Sequence, residues 1–423
     1  MLNNDKIILY CDRAIVACLC LLIFCLPFAK AGVETFVWLA IFLWILKRVL
    51  GYRAKALWGM FPKTELNKAL GVFIAVNAIS TIFSVNLGLS LRGFFGKELK
   101  FMAIYFMLVE VINSRERLIN ILISIIASAV LITADAAIQY FSGEDLLRGY
   151  QFEKFTASFA SSNGFAGWLI VIILLFLGML TVDRIIGKKL KVLLPILIIL
   201  LLSCLLMTYS YGAWLGFSIG IFLMACYIIK NSILKIKILC LSVGICLVAI
   251  FLFIPQPIKA KVKAMGRINF KFVQTINEKI KSIVKTKEGS ILIRVDLWKE
   301  SLMIIRDYPL TGCGLNTYSI VARRYKTFEG GGIYPHNSFL QMAAETGLLG
   351  LTAFLWILFI FFKMGVQRLN KKNNTLMLGL LAGILAFLVH SFFDTHLYAL
   401  QLVVLFWFIL GLTVAVIKLE SDI

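Results

Sequence analysis

With 423 residues, 61% of them apolar and only 15% charged, at a mean hydropathy of +0.92, the chain carries too little charge to cover a water-soluble surface. That excludes a multidomain cytosolic enzyme. The net charge of +21 would suggest nucleic acid in a soluble protein, but here the cations must first be sorted by the side of the bilayer they face.

Each crossing takes about 20 apolar residues. Runs of that kind predict helices over 12–29, 32–50, 69–88, 98–113, 118–141, 163–182, 191–209, 211–229, 234–254, 342–362, 375–393 and 397–417. The expected fold class is therefore an all-α polytopic membrane protein with about 12 transmembrane helices and one large extracytoplasmic loop. Its organisation divides into helices one to nine within 1–254, the loop over 255–341, and helices ten to twelve within 342–423. The first run ends in Leu26-Pro27-Phe28-Ala29-Lys30-Ala31, the outline of a signal-peptidase site, but Asp5 and Asp12 beside Lys6 and Arg13 in the short head favour an uncleaved first span. The nine cysteines include no C-x-x-C pair, so neither a metal site nor a disulfide framework is implied.

With the N-terminus cytoplasmic, the short inner segments hold 22 Lys and Arg and the short outer segments 6. This bias orients the bundle with both termini inside, by the positive-inside rule. The remaining 15 cations lie in the long outer stretch 255–336, against six acids. Within it, Lys259 to Lys287 interleaves lysines with Val262, Ile268, Phe270 and Ile276, the pattern of a basic amphipathic helix lying in the membrane interface. Gly330-Gly331-Gly332 then permits a tight or mobile approach to Tyr334-Pro335-His336. No inverted pair of short, broken spans appears and the mid-bilayer positions are almost free of ionisable groups, which argues against ion-coupled transport.

The second half of the loop has a different texture. A short helix around Arg294 and Trp298 precedes a Pro309 to Gly314 turn, a second short helix and the glycine hinge. The Gly312-x-Gly314 turn reads first as a helix stop and only weakly as a phosphate cradle. His336 stands where this aqueous loop meets the next span, directly after a proline, and imidazole is suited to taking a proton near neutral pH. His390 and His396 flank an outer turn around Asp394, where no motif spacing supports a catalytic pair.

The string Pro335-His336-Asn337-Ser338-Phe339-Leu340-Gln341, continuing to Glu345-Thr346-Gly347-Leu348-Leu349-Gly350, resembles the signature of the O-antigen ligase and polymerase superfamily. Arg294-x-x-x-Trp298 with Asp307-Tyr308-Pro309-Leu310-x-Gly312-x-Gly314 is similar to its loop motif. So are Gln139-Tyr140 to Gly143 with Ala157 to Ala166, and Arg92 to Lys97 after the third span. The resemblance implies a metal-independent, cofactor-free glycosyltransferase of the lipid-linked, GT-C-like type in the bacterial inner membrane. Its partners would be an undecaprenyl-diphosphate-linked glycan, a glycan or lipid A core acceptor, and membrane lipids, with no nucleic acid. The active site would be extracytoplasmic. Such chemistry needs cations against the departing diphosphate, an acceptor for the proton of the attacking hydroxyl, and a lipid-facing slot.

Carried over by position, His336 corresponds to the histidine proposed to activate the acceptor and Arg294 to the arginine proposed to bind diphosphate, which a bidentate guanidinium suits. Ligases of the family commonly carry Ser-Arg-Gly-Ala after the seventh span; here the string is Ser210-Tyr211-Gly212-Ala213. Tyr211 offers one hydrogen bond and no charge, so the missing cation must come from elsewhere. Arg92, Lys97, Lys100, Arg148, Arg323 and Arg324 are the candidates. An O-antigen ligase and a polymerase of the same superfamily both fit these motifs. A carrier for lipid-linked glycan is the reading from another class, and it has no use for a histidine poised on one surface.

Overall fold

The computed structural model describes residues 4–51, 61–149, 155–180, 188–229, 293–326, 334–371 and 375–421. No strand occurs among them. The helices are α1 Asn4–Cys25, α2 Lys30–Gly51, α3 Asn67–Ile82, α4 Leu87–Gly93, which runs through a π-helical turn Phe94–Glu98 into α5 Leu99–Val111, and then α6 Arg115–Ser142. α7 Ser162–Met179, α8 Lys188–Met207 and α9 Tyr211–Ile228 follow. The loop contributes α10 over 293–307 and α11 Tyr318–Val321, continued by a 3-10 turn Ala322–Arg324. The chain then forms α12 Ser338–Lys371, α13 Thr375–Ser391, a 3-10 turn His396–Tyr398, and α14 Leu400–Ser421.

Six of these helices are long and apolar enough to cross a membrane: those over Lys6–Cys25, Arg115–Ser142, Ser162–Met179, Tyr211–Ile228, Ser338–Leu369 and Leu400–Leu419. Asn67–Ile82, Val192–Met207 and Thr375–Ser391 are apolar but shorter, about 24–26 Å at 1.5 Å per residue against a core of about 30 Å. The protein is thus an all-helical, multi-pass membrane protein. The expected span over 234–254, the amphipathic stretch 259–287 and Gly330-Gly331-Gly332 lie outside the described residues.

Local sequence sets the helix ends. Asn86, Ser114 and Ser161 accept from the backbone N–H three residues on, at 3.1, 3.3 and 3.0 Å, and so cap α4, α6 and α7. Gly143 ends α6 in the left-handed region at φ +86°. Lipid offers no hydrophobic drive for one helix to bury against another, so association depends on close packing. α13 supplies it: a Cβ on Gly178 of α7 would lie 2.5 Å from the Thr375 carbonyl, and one on Gly216 of α9 would lie 2.4 Å from that of Ala386. α13 therefore packs between α7 and α9, with α14 against α5.

The two ends of the bundle are tied differently. At one end Lys47 bridges Asp12 and Glu110 while Arg48 pairs with Glu110, joining α1, α2 and α5. At the other, Lys100 pairs with Glu34 at 2.8 Å, Arg148 donates to the Phe28 carbonyl and Gln401 to those of Leu26 and Pro27. All of the residues expected to act on substrate lie at this second end.

Candidate functional site

Two distant strings build the platform of the site by meeting backbone to backbone. α12 is interrupted at Gly347, whose φ of +71° only glycine adopts readily. The turn 309–314 docks into that break: Leu348 N–H donates to the Pro309 carbonyl at 2.8 Å, Cys313 N–H to that of Ala344 at 2.9 Å, and Gly314 N–H to that of Glu345 at 2.8 Å. A Cβ on Gly312 would lie 2.3 Å from the Glu345 carbonyl carbon, and one on Gly347 would lie 2.0 Å from the Leu310 oxygen. Gly312 and Gly314 are therefore close-packing positions, where the sequence suggested a simple helix stop. The Glu345 carboxylate accepts from Asn316 N–H at 2.9 Å and Tyr318 N–H at 3.3 Å, which seats α11.

α10 lies beside this platform. Trp298 Nε1 donates to the Pro335 carbonyl at 2.9 Å and its ring meets Phe392 edge-on at 5.7 Å. The approach to His336 is fixed in this way from both sides. His336 itself takes φ +47°, uncommon for a residue with a side chain.

His336 Nδ1 lies 3.0 Å from Asp394 Oδ1, with the histidine side chain 41% exposed and the carboxyl 14%. The other carboxyl oxygen, Oδ2, accepts from Asn163 Nδ2 at 2.7 Å, and Thr395 N–H donates to Oδ1 at 2.8 Å. Burial works to raise the Asp394 carboxyl, but the hydrogen bond from His336 and the neighbouring imidazoles hold it well below the usual carboxylate range. A carboxylate on Nδ1 selects the tautomer protonated there, which leaves the Nε2 lone pair as the acceptor. Nε2 has no hydrogen bond among the described residues.

A second, buried histidine pair supports the turn that carries Asp394. His396 Nε2 and His390 Nδ1 are 2.9 Å apart, and His390 Nε2 is 3.1 Å from Ser210 Oγ. Burial pushes the His396 imidazole down to about 4, against the opposing pull of Asp394, so it stays neutral. Ser210 precedes α9, yet its hydroxyl makes no capping bond because it faces His390. Tyr211 follows, 37% exposed, with its ring edge-on to Trp214 at 5.4 Å. Arg294, half-buried on α10, is within electrostatic reach of His390 and makes no hydrogen bond or ion pair among the described residues.

The structure thus gathers His336, Arg294 and Tyr211 around the 390–396 turn. Arg92 and Lys97 lie elsewhere, on a cavity of about 380 Å3, with Lys97 Nζ 2.6 Å from Asn316 Oδ1. Arg323 and Arg324 are exposed on the 3-10 turn after α11. Lys100 and Arg148 already tie helix ends together. Asp394, paired here with His336, and Asn163, which donates to Asp394, were not recognisable as parts of this group in the sequence; the one available signal was that Asp394 is the acid of the last outer turn and Asn163 sits in the Ala157 to Ala166 string.

Residues 196–355 match a family described as O-antigen ligase. The match holds Tyr211, Arg294 and His336 together with both glycine strings of the platform. No curated protein matches the chain. Over that stretch, which is less than half of its length, the chain is similar to the O-antigen ligase family, and the stretch lies on a multi-pass bundle that collects those residues at one end.

Proposed function

We propose that the protein moves a glycan from undecaprenyl diphosphate to an acceptor hydroxyl, that of a lipid A core sugar, on the outer face of the bacterial inner membrane. The observation that carries this reading is His336 held through Nδ1 by Asp394, with Nε2 open, on a turn whose His390 is within electrostatic reach of Arg294. Nε2 accepts the proton of the attacking hydroxyl as its oxygen bonds to the anomeric carbon. The bond from that carbon to the diphosphate breaks, and the Arg294 guanidinium takes up the charge that develops there. Asp394 keeps the ring oriented and stabilises the imidazolium formed. Tyr211 supplies one hydrogen bond to the leaving group, and the exposed Arg323 and Arg324 meet anionic groups of the incoming substrates.

One observation favours a second reading within the same superfamily. Tyr211 stands where ligases commonly carry an arginine, so a polymerase, which joins one lipid-linked repeat to another, handles the donor with one cation fewer at this position. Both readings place the termini in the cytoplasm and the site outside.

The test is transfer in membranes supplied with lipid-linked oligosaccharide. His336→Ala and Arg294→Ala each abolish transfer at normal expression; turnover near wild type in either variant refutes the assigned role. Products of a deletion strain separate the two readings. Free lipid-linked polymer beside bare acceptor marks a lost ligase, and single repeats on acceptor mark a lost polymerase.

A further inference from the structure

The cavity of about 380 Å3 between α3, α5, α12 and α14 falls in the range of small-molecule sites, about 300–1,000 Å3. It is lined by Leu397 and Tyr398 from the turn that carries Asp394, but by none of His336, Asp394 or Arg294. The transfer chemistry leaves it unused.

Asn77 of α3 lines this cavity, is fully buried, and has no hydrogen bond to either atom of its amide among the described residues. A buried amide left unpaired within a membrane bundle is costly and marks a functional position. Glu98 lines it too, from the π-helical turn, and makes no hydrogen bond among the described residues. π-helical turns concentrate at functional sites.

The charges of the lining decide what kind of ligand fits. Arg92, Lys97 and Lys100 stand against Glu34, Glu98 and Glu345, so the formal charges balance. Two of the three cations are engaged, Lys100 by Glu34 and Lys97 by Asn316. A diphosphate entering here would gain Arg92 and Lys97 only beside Glu98 and Glu345, whose carboxylates repel it. A neutral group that both donates and accepts hydrogen bonds suits Asn77 and Glu98 without that conflict. The remaining wall is apolar and largely aromatic, with Phe73, Phe101, Phe354 and Trp407.

We propose that this cavity binds the neutral, hydroxyl-rich head group of an amphiphile, a glycoside whose hydroxyls pair with Asn77 and Glu98 and whose apolar part lies against Phe73, Phe101, Phe354 and Trp407. The site is separate from the anionic one at Arg294, and its occupancy does not depend on the role given to His336.

The test uses the full-length protein in phosphatidylcholine nanodiscs and an octyl glucoside carrying a photoreactive diazirine on its chain. Labelled peptides are mapped by mass spectrometry, with unlabelled octyl glucoside or octyl phosphate as competitor. Saturable labelling of peptides containing Phe73, Phe101 or Phe354 is expected, displaced by the glucoside and not by the phosphate. Asn77→Leu and Glu98→Gln each weaken it about tenfold, the loss of one or two good hydrogen bonds. Should Asn77→Leu fail to fold, Asn77→Ser removes the amide with less disturbance. Stronger competition by octyl phosphate, or labelling unchanged in both the Glu98 variant and a folded Asn77 variant, overturns the proposal.

Discussion

At the scale of single residues, the hydrogen bond between His336 and Asp394 is the contact whose removal is most informative. Asp394→Asn keeps the shape of the carboxyl but offers Nδ1 an amide, so the ring is no longer held in the tautomer that leaves Nε2 free. Transfer by Asp394→Asn is expected to fall by about 10²-fold or more in kcat, with donor binding little changed. A loss confined to KM would instead make Asp394 part of the binding surface. Asn163 acts one step further out, on the second carboxyl oxygen, and its loss is felt only through Asp394.

His396 gives the protein an acid limit of stability. Its folded value is near 4 against an ordinary histidine value of 6.5, so between those values the unfolded chain binds a proton that the folded chain refuses. Stability is therefore complete above about 6.5 and is lost as the pH falls toward 4, by of order 3 kcal/mol for one such group. Asp394 acts in a lower window, because a depressed carboxyl withdraws its stabilisation only below the usual carboxylate range. Thermal unfolding of the solubilised protein from pH 7 to pH 4 measures the slope, and His396→Gln flattens it. An unchanged slope in that variant removes His396 as the cause.

At the scale of elements, the break in α12 is the joint on which the site rests. Gly347 allows the Pro309 to Gly314 turn to enter the helix axis, and the turn in turn seats α11 through Glu345. Gly347→Ala places a methyl group where the Leu310 oxygen lies and demands a left-handed conformation of an alanine, a cost of at least about 2 kcal/mol. The expected result is a lower unfolding temperature and lost transfer together. Full activity in Gly347→Ala would show that the loop finds its place without this joint. The short contacts of Gly178 and Gly216 against α13 serve the same end deeper in the bundle.

At the scale of the whole molecule, orientation decides whether the chemistry is possible. The excess of cations on one set of short segments predicts that position 336 is outside, and the structure brings His336, Arg294 and Tyr211 to one end, opposite the Lys47, Asp12 and Glu110 cluster. A cysteine placed at Tyr334, which is 46% exposed, should react with a membrane-impermeant maleimide in intact cells. Reaction only after the membrane is opened would reverse the topology and end the functional reading.

The sequence by itself determined the class of the fold, because bilayer thickness and backbone hydrogen bonding leave an apolar run little choice but a helix. It also determined the chemical types at the candidate site, since His336 and Arg294 stand in strings that resemble family motifs. Tertiary structure alone decided which of them lie together. Asp394 is 58 positions from His336, and Pro309 meets Leu348 across a break no local propensity announces; such pairings arise from packing, which periodicity does not encode. For the same reason Arg92 and Lys97, cations of the expected type at the expected end, stand on a cavity lined by three glutamates, while Arg294 is within electrostatic reach of His390.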